Sequence, residues 1–413
     1  MPNSRRAQGT GSIYKKTVTR NGKEYSFWEA QTTIGYDSGT GKQIRKTFTG
    51  KTQKEVREKM QAAAVAVQSG DYFEPSKMTL GEWLDLWLAE YCNAIKYASK
   101  LKYEVCCRVH IKPALGAVKL SKLTAPQIQK FYNELARTGK TMKKKDSKGN
   151  AVVTKEPLAP KTIRLVHGVL SKALNTAWRQ GMIKQNPAEL CTTPKIEKKE
   201  INPLTDEQVK AFLAACDGEN YGNAYKLIVF TGLREGEALG LTWDCVDFQK
   251  GVLKINKQLQ RRNGKDELVP LKNSKPRYIT AAPFVMQILK QQYTRQTEDR
   301  LKAGELWQGW QSVEERKTAL VFTKADGQNI TAAALYQRYK HIAASIGAEE
   351  SRVHDLRHTF AVLSLQNGDS VKTVQDNLGH ATAAFTLDVY GHVSERMKED
   401  SAARMQKYIE SVI

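Results

Sequence analysis

The chain has 413 residues, 40% of them apolar and 8% aromatic, enough for several packed cores and too long for one ordinary globular core. No apolar run is long enough to cross a bilayer, and no apolar segment follows Met1-Pro2-Asn3-Ser4-Arg5-Arg6, so neither a membrane span nor a secretory signal is expected and the chain reads as cytoplasmic. The formal charge of +22 is uneven: surpluses of +6, +15 and +1 fall on residues 1–75, 76–199 and 200–413, which joins a polyanion-binding portion to a nearly neutral one.

In chain order, residues 12–19, 24–34 and 42–49 are rich in Tyr, Thr, Ile, Phe and Trp. They are separated by Asn21-Gly22 and by a Gly-rich stretch at 37–41, which predicts three short antiparallel strands. Thr52 with Glu55 then opens a helix to about Val67. Lys15, Lys16, Arg20, Lys23, Arg45 and Lys46 lie on or beside these strands, either presented to a DNA groove or guarding the strand edges against pairing. Next, Leu80, Trp83, Leu84, Trp87, Leu88 and Tyr91 recur at helical spacing after Thr79, Thr124-Ala125-Pro126-Gln127 caps a helix through Leu135, and Ile163 to Trp178 marks another. Together these predict an all-α bundle of about four helices. Residues 140–156, with Lys143, Lys144 and Lys145, form an exposed basic loop or hairpin, suited to a phosphate or to solvent.

Prolines and mixed charge without periodicity place a linker at 192–204. From Thr205 and Gln208, a capping pair, the pattern becomes mixed, mainly α, α/β: helices to about Cys216, at 224–231 and 235–241, strands at 252–260 and 277–280, then helices. Residues 286–306 and 312–317 form a charged helical excursion with no assigned role. A last helix covers 395–413, with Met397, Ala402, Met405 and Ile409 at near-helical spacing, fit for docking within the chain or on a neighbour. The six cysteines, Cys92, Cys106, Cys107, Cys191, Cys216 and Cys245, form no CxxC pair and no Cys/His metal spacing, so reduced, buried thiols are expected.

Three boxes carry chemistry. In Thr231-Gly232-Leu233-Arg234-Glu235-Gly236-Glu237, Gly232 breaks one helix and Arg234 stands at the start of the next, where an anion is already favoured. His354-Asp355-Leu356-Arg357-His358 puts His354 and Arg357 on one helical face. Leu378-Gly379-His380 is followed ten residues on by Tyr390-Gly391-His392. A set of arginines, histidines and a tyrosine suits phosphodiester chemistry without metal or nucleotide: arginine forks neutralise the phosphoryl oxygens, a nucleophile conserves the bond, and an acid protonates the departing oxygen.

In order and wording these boxes resemble the tyrosine recombinase family, nearest to integrases of temperate phages and conjugative transposons. The match is residue by residue over 225–395 and architectural over 1–200. The resemblance implies a multidomain fold: an arm-type DNA-binding domain at 1–75 (three-stranded β-sheet plus helix), an all-α SAM-like core-binding domain at 76–191, and a mixed α/β catalytic domain at 205–413. It implies that Arg234 and Arg357 clamp the scissile phosphate, Tyr390 attacks it, His354 acts on the tyrosine proton or orients the phosphate, and His380 hydrogen-bonds a non-bridging oxygen. Lys272 best fits the family's general-acid lysine, with Lys275 as competitor, and Glu237 matches a supporting acidic position. Lys275 and Arg277, with Arg352, are expected to give the catalytic part a local basic face. His358 is expected to be structural or to support the residues that touch the phosphate. The resemblance further implies core and arm-type DNA sites, a homotetramer in the synaptic complex, and an excisionase and a host DNA-bending protein as partners. It implies a prophage or mobile-element setting, localisation to the nucleoid when bound to DNA, and no cofactor.

Overall fold

The computed structural model describes residues 12–20, 22–36, 40–68, 77–145, 151–197, 202–271, 275–380 and 394–413. The chain divides into two compact units, Met1–Glu197 and Lys198–Ile413, a boundary inside the expected linker.

In the first unit β1 (Ser12–Arg20), β2 (Lys23–Tyr36) and β3 (Gln43–Gly50) form an antiparallel sheet in the order β1-β2-β3, and α1 (Gln53–Gln68) packs on it. Arg20 pairs with Lys23 across a two-residue loop, in which Gly22 has φ +74°, the left-handed conformation that a tight hairpin requires. Thr52 caps α1 by accepting from the Glu55 amide (3.2 Å). Buried Glu29 accepts from Tyr14 and Lys16 on the neighbouring strand.

The bundle consists of α2 (Leu80–Leu86), α3 (Tyr97–Val105), α4 (Lys112–Leu115), α5 (Ala125–Thr138) and α6 (Pro160–Arg179), with π-helical turns at Trp87–Tyr91 and Cys106–Ile111. Capping boxes at Thr79/Glu82 and Thr124/Gln127 start α2 and α5. The tryptophans of α2 and the turn after it fix their place on α6: Trp83 Nε1 donates to the Ala173 carbonyl (2.9 Å) and Trp87 Nε1 to Thr176 Oγ1 (3.1 Å). Between α5 and α6 the basic stretch is a hairpin, β4 (Lys140–Lys145) and β5 (Ala151–Glu156), registered from Lys140↔Glu156 to Lys145↔Ala151.

The second unit begins with α7 (Asp206–Cys216), capped by Thr205 and Gln208, then α8 (Gly222–Thr231) and α9 (Glu235–Leu239). The expected strand at 252–260 is two strands. Three strands, β6 (Val246–Asp247), β7 (Val252–Ile255) and β10 (Arg277–Thr280), form one small sheet, while β8 (Lys257–Arg262) and β9 (Lys265–Pro270) form a separate hairpin. Asn256 separates β7 from β8, its side-chain oxygen accepting from Cys245 Sγ. Asn263 and Gly264, both at positive φ, turn β8 into β9. Five further helices follow: α10 (Pro283–Ala303), α11 (Val313–Thr318), α12 (Ala332–Ser345), α13 (Val353–Gln366) and α14 (Val371–Leu378). The last described helix is α15 (Ser394–Val412). The 286–317 stretch proves to be a packed part of this unit. Buried Gln296 on α10 accepts from Trp243 Nε1 (2.9 Å) and Trp310 Nε1 (3.4 Å) and donates to the Leu320 carbonyl (2.9 Å).

Trp83 is 1% exposed and spends its only polar group on α6, so Trp83→Ala leaves a cavity and loses that hydrogen bond. We expect a loss of about 3–5 kcal/mol in urea unfolding, the range for deleting a buried aromatic side chain. A loss under about 1 kcal/mol would show that α2 is not anchored there.

Candidate active site

The site is assembled on the C-terminal end of α14. The last carbonyls of a helix have no partner within it and mark the negative end of its dipole. Here three consecutive carbonyls each receive one arginine. Asn377 accepts from Arg277 Nε (2.8 Å), Leu378 from Arg357 Nη2 (2.6 Å), and Gly379 from Arg234 Nη2 (3.4 Å). Gly379 ends the helix at φ +64°, so the chain turns sharply and His380 follows directly, its amide bonded to the Gln375 carbonyl (3.1 Å).

Each arginine is brought by a different element. Arg357 lies on α13, is only 2% exposed, and donates also to the Gly232 carbonyl (2.6 Å), tying the end of α8 to the end of α14. Gly232 is in the left-handed conformation, and a Cβ there would overlap the Phe360 ring and Leu378. Only glycine lets the α8–α9 turn lie this close. Arg234, at the N-cap of α9, keeps 41% of its side chain exposed. Arg277, on β10, is 12% exposed.

Glu237, buried to 2%, compensates two of these charges. Its carboxylate accepts from Arg234 Nη1 (2.7 Å) and the Arg234 amide (3.0 Å), and from Arg277 Nη2 (2.7 Å) and Nη1 (3.2 Å). Burial works against its charge, but the bonds and charge of Arg277 and the charge of Arg234 outweigh it and hold the pKa at about 2. The neighbouring Glu235 is the opposite case. Its Oε1 is buried without a hydrogen-bond partner among the described residues, and burial pushes its pKa up.

Three histidines complete the site. His354 and His358 meet edge to face, with ring centroids 4.8 Å apart. Burial lowers the pKa of His354, and the charge of Arg357 adds to it. His358 falls to about 4 through burial and His354, and His380 to about 4 through burial, Arg357 and Arg234. All three are therefore neutral near pH 7, able to accept as well as donate a hydrogen bond.

The structure thus brings together Arg234, His354, Arg357 and His380. Lys272, Tyr390 and His392 lie outside the described residues. Lys275 is exposed. Arg277, expected on a DNA-facing surface, instead gives its guanidinium to Glu237 and Asn377 inside the site. Arg352 is tied by its fork to Asp355 (3.0 and 3.1 Å). On the first sheet Lys15 is exposed, Lys16 pairs with Glu29 (3.1 Å), and Arg45 bonds Gln43 (3.0 and 3.2 Å). The backbones of Arg20 and of Lys143, Lys144 and Lys145 lie in β1 and β4, and their side chains lie outside the described residues. Sequence reasoning missed the buttress formed by Arg277. No local pattern signals a pair formed across 40 residues.

A buried, carbonyl-organised cluster of arginines beside neutral histidines defines a centre for binding and handling an oxyanion such as phosphate. The comparisons with known proteins specify its class. The model of the Phage integrase family matches residues 202–397, and that of the phage integrase N-terminal SAM-like domain matches 79–136. A tyrosine recombinase XerC-like protein of Caldanaerobacter subterraneus is 31% identical over 94% of this chain and 97% of its own length. An integrase of Streptomyces ambofaciens is 26% identical over 94% of this chain and 93% of its own length. Among solved structures, the Tn1549 transposon integrase in complex with a circular intermediate DNA shares the fold at a TM-score of 0.63 and 21% identity, covering 80% of this chain and 100% of that chain. A lambda integrase tetramer bound to a Holliday junction does so at 0.51 and 18%, covering 94% of this chain and 97% of that chain. The chain belongs to the tyrosine recombinase (phage integrase) family, and it is a DNA-cleaving and rejoining enzyme. Among the described residues no helix is long and apolar enough to cross a membrane.

Two measurements check the electrostatics. Glu237 has its pKa lowered from 4.5 to about 2, so its contribution to stability is present above about pH 4.5 and lost as pH falls towards 2. Glu237→Gln leaves Arg277 buried without its carboxylate and should cost about 3–5 kcal/mol at pH 7. The gap to wild type in urea unfolding should narrow from pH 4.5 downward, and a gap independent of pH would contradict the pairing. The depressed histidine values imply stability that is full above about pH 6.5 and declines as pH falls through 4. In NMR titration the His358 and His380 rings should protonate near pH 4, and midpoints at 6.5 would refute their burial.

Proposed function

We propose that this protein is a site-specific recombinase that integrates or excises a mobile element or prophage by transferring DNA strands through a covalent 3′-phosphotyrosine intermediate, with Tyr390 as nucleophile. The observation carrying this reading is the set of three arginines on consecutive carbonyls at the end of α14, next to His380 and 11 to 13 residues from Tyr390 along the chain.

In this reading the scissile phosphate approaches the exposed side of Arg234, with Arg357 behind it. The tyrosine oxygen attacks phosphorus, the P–O bond to the 5′ carbon's oxygen breaks, and that oxygen leaves with a proton. Lys272 supplies the proton, with Lys275 as the alternative donor. Neutral His354 takes the tyrosine proton or orients the phosphate, and His380 donates to a non-bridging oxygen. The arginines are fixed before substrate arrives, so little reorganisation is needed when negative charge builds on the phosphorane. Rejoining is the same step reversed, the free 5′ hydroxyl attacking the phosphotyrosine.

The sheet unit of residues 1–75 would bind arm-type sites, with Lys15, Lys16, Arg20 and Arg45 at hand. Residues 76–191, with Lys143, Lys144 and Lys145 on their hairpin, and residues 205–413 would hold the core site. The assembly would be a homotetramer on two duplexes, with an excisionase and a DNA-bending protein setting direction. The relatives support this setting: one is an ICEBs1 integrase of Bacillus subtilis, 21% identical over 92% of this chain and 96% of its own length.

The test is a nicked suicide duplex carrying the attachment site, incubated with full-length protein without magnesium and resolved in SDS. Wild type should form a covalent adduct, Tyr390→Phe none, and Arg234→Lys an adduct at least about a hundredfold more slowly. An adduct with Tyr390→Phe would remove Tyr390 as nucleophile. A strict need for magnesium would point to metal-assisted cleavage instead.

A further inference from the structure

Between Lys140 and Glu156 the sequence carries six lysines against two carboxylates, Asp146 and Glu156. Glu156 is already engaged at the foot of the β4–β5 hairpin, 3.3 Å from Lys140 Nζ. The foot is fastened to the bundle where the Leu158 amide donates to the Leu135 carbonyl near the end of α5 (3.0 Å). Two strands by themselves bury too little to be stable in water, so such a hairpin gains from a surface to lie against.

The register decides which residues could meet that surface. Directly paired residues of an antiparallel ribbon share a face, and successive pairs alternate between faces. Lys140/Glu156, Met142/Thr154 and Lys144/Val152 therefore share one face. This is the inner one, since Met142, Thr154 and Glu156 are half-buried and Thr154 Oγ1 is buried. Thr141/Lys155, Lys143/Val153 and Lys145/Ala151 share the other. On that outer face Thr141, Ala151, Val153 and Lys155 are all exposed, Val153 to 59%. Two lysine positions thus run along its β4 edge, and two small apolar ones along β5.

This pattern matches the major groove of duplex DNA. The groove is about 12 Å wide and admits a two-stranded ribbon, its thymine methyls accept apolar contact, and its guanine edges and bordering phosphates accept lysine. We propose that β4–β5 is a DNA-reading ribbon that enters the major groove by its outer face, with Lys143 and Lys145 on one edge and Val153 on the other. The proposal rests on the reading above that residues 76–191 hold core-site DNA.

The test is photo-crosslinking of the full-length protein to a random-sequence duplex in which 5-iododeoxyuridine replaces thymidine, so that iodine stands where the thymine methyl projects into the major groove. Val153→Tyr places a photoreactive ring on the outer face, and Val152→Tyr places one on the inner face. Both positions are exposed, at 59% and 41%, so neither change disturbs a core. Tyrosine at 153 should crosslink, as read by mass spectrometry of the digested adduct, and tyrosine at 152 should not. In anisotropy titrations, replacing both Lys143 and Lys145 by Ala should make the slope of log affinity against log salt shallower by about 2, one released counterion for each lysine. Crosslinking at both positions or at neither, or an unchanged slope, would overturn the proposal. The Val153→Tyr protein is also run on the nicked suicide duplex. A Tyr390-dependent adduct without a crosslink at 153 removes the ribbon and leaves the recombinase reading standing. A wild type that neither binds DNA nor forms the adduct removes both.

Discussion

Three positive charges placed side by side repel, and the second unit is organised around holding Arg234, Arg277 and Arg357 together in spite of that. The end of α14 supplies the first half of the solution. Its last carbonyls carry the partial negative charge of the helix and lie on successive residues, so three forks from three elements find adjacent acceptors. Glu237 supplies the second half, a full negative charge buried between Arg234 and Arg277. Arg357 is held by two backbone carbonyls, those of Gly232 and Leu378.

The fold serves this arrangement at several removes. Gly232 and Gly379 end α8 and α14 in left-handed turns that expose their carbonyls, and both are crowded by neighbours that a side chain would displace. Phe360 and Leu378 belong to the small apolar cluster that fixes α13 against α14. The Leu204 amide donates to Thr359 Oγ1 (3.0 Å), which pins the start of the unit to the middle of α13. The histidines inherit their neutrality from the same crowding, being partly buried beside fixed cations.

Local signals in the sequence located much of this. The capping pairs at Thr52, Thr124 and Thr205 start helices where expected, because a cap needs only residues three positions apart. The three N-terminal strands were legible for the same reason, as was the convergence of Arg234, His354, Arg357 and His380 from their wording. What escaped depends on distance in the chain. The stretch at 252–260 reads as one strand because β-propensity runs through it, yet Asn256 and the partners of each half divide it between two sheets. The Arg261-Arg262-Asn263-Gly264-Lys265 stretch did carry a hairpin signature, and β9 could have been found from it. Arg277 is the instructive case. A surface arginine and a buried one look alike in sequence, and only the partner on α9 decides which it is.

The most direct measurement of this account is a double-mutant cycle on Glu237 and Arg277, with Glu237→Gln, Arg277→Met and the double variant compared in urea unfolding. If Glu237 holds the arginines in place, the two changes should be strongly non-additive, with a coupling above about 1 kcal/mol. Additivity within about 0.5 kcal/mol would mean that the carboxylate does not hold Arg277, and that the convergence of arginines rests on the helix end alone.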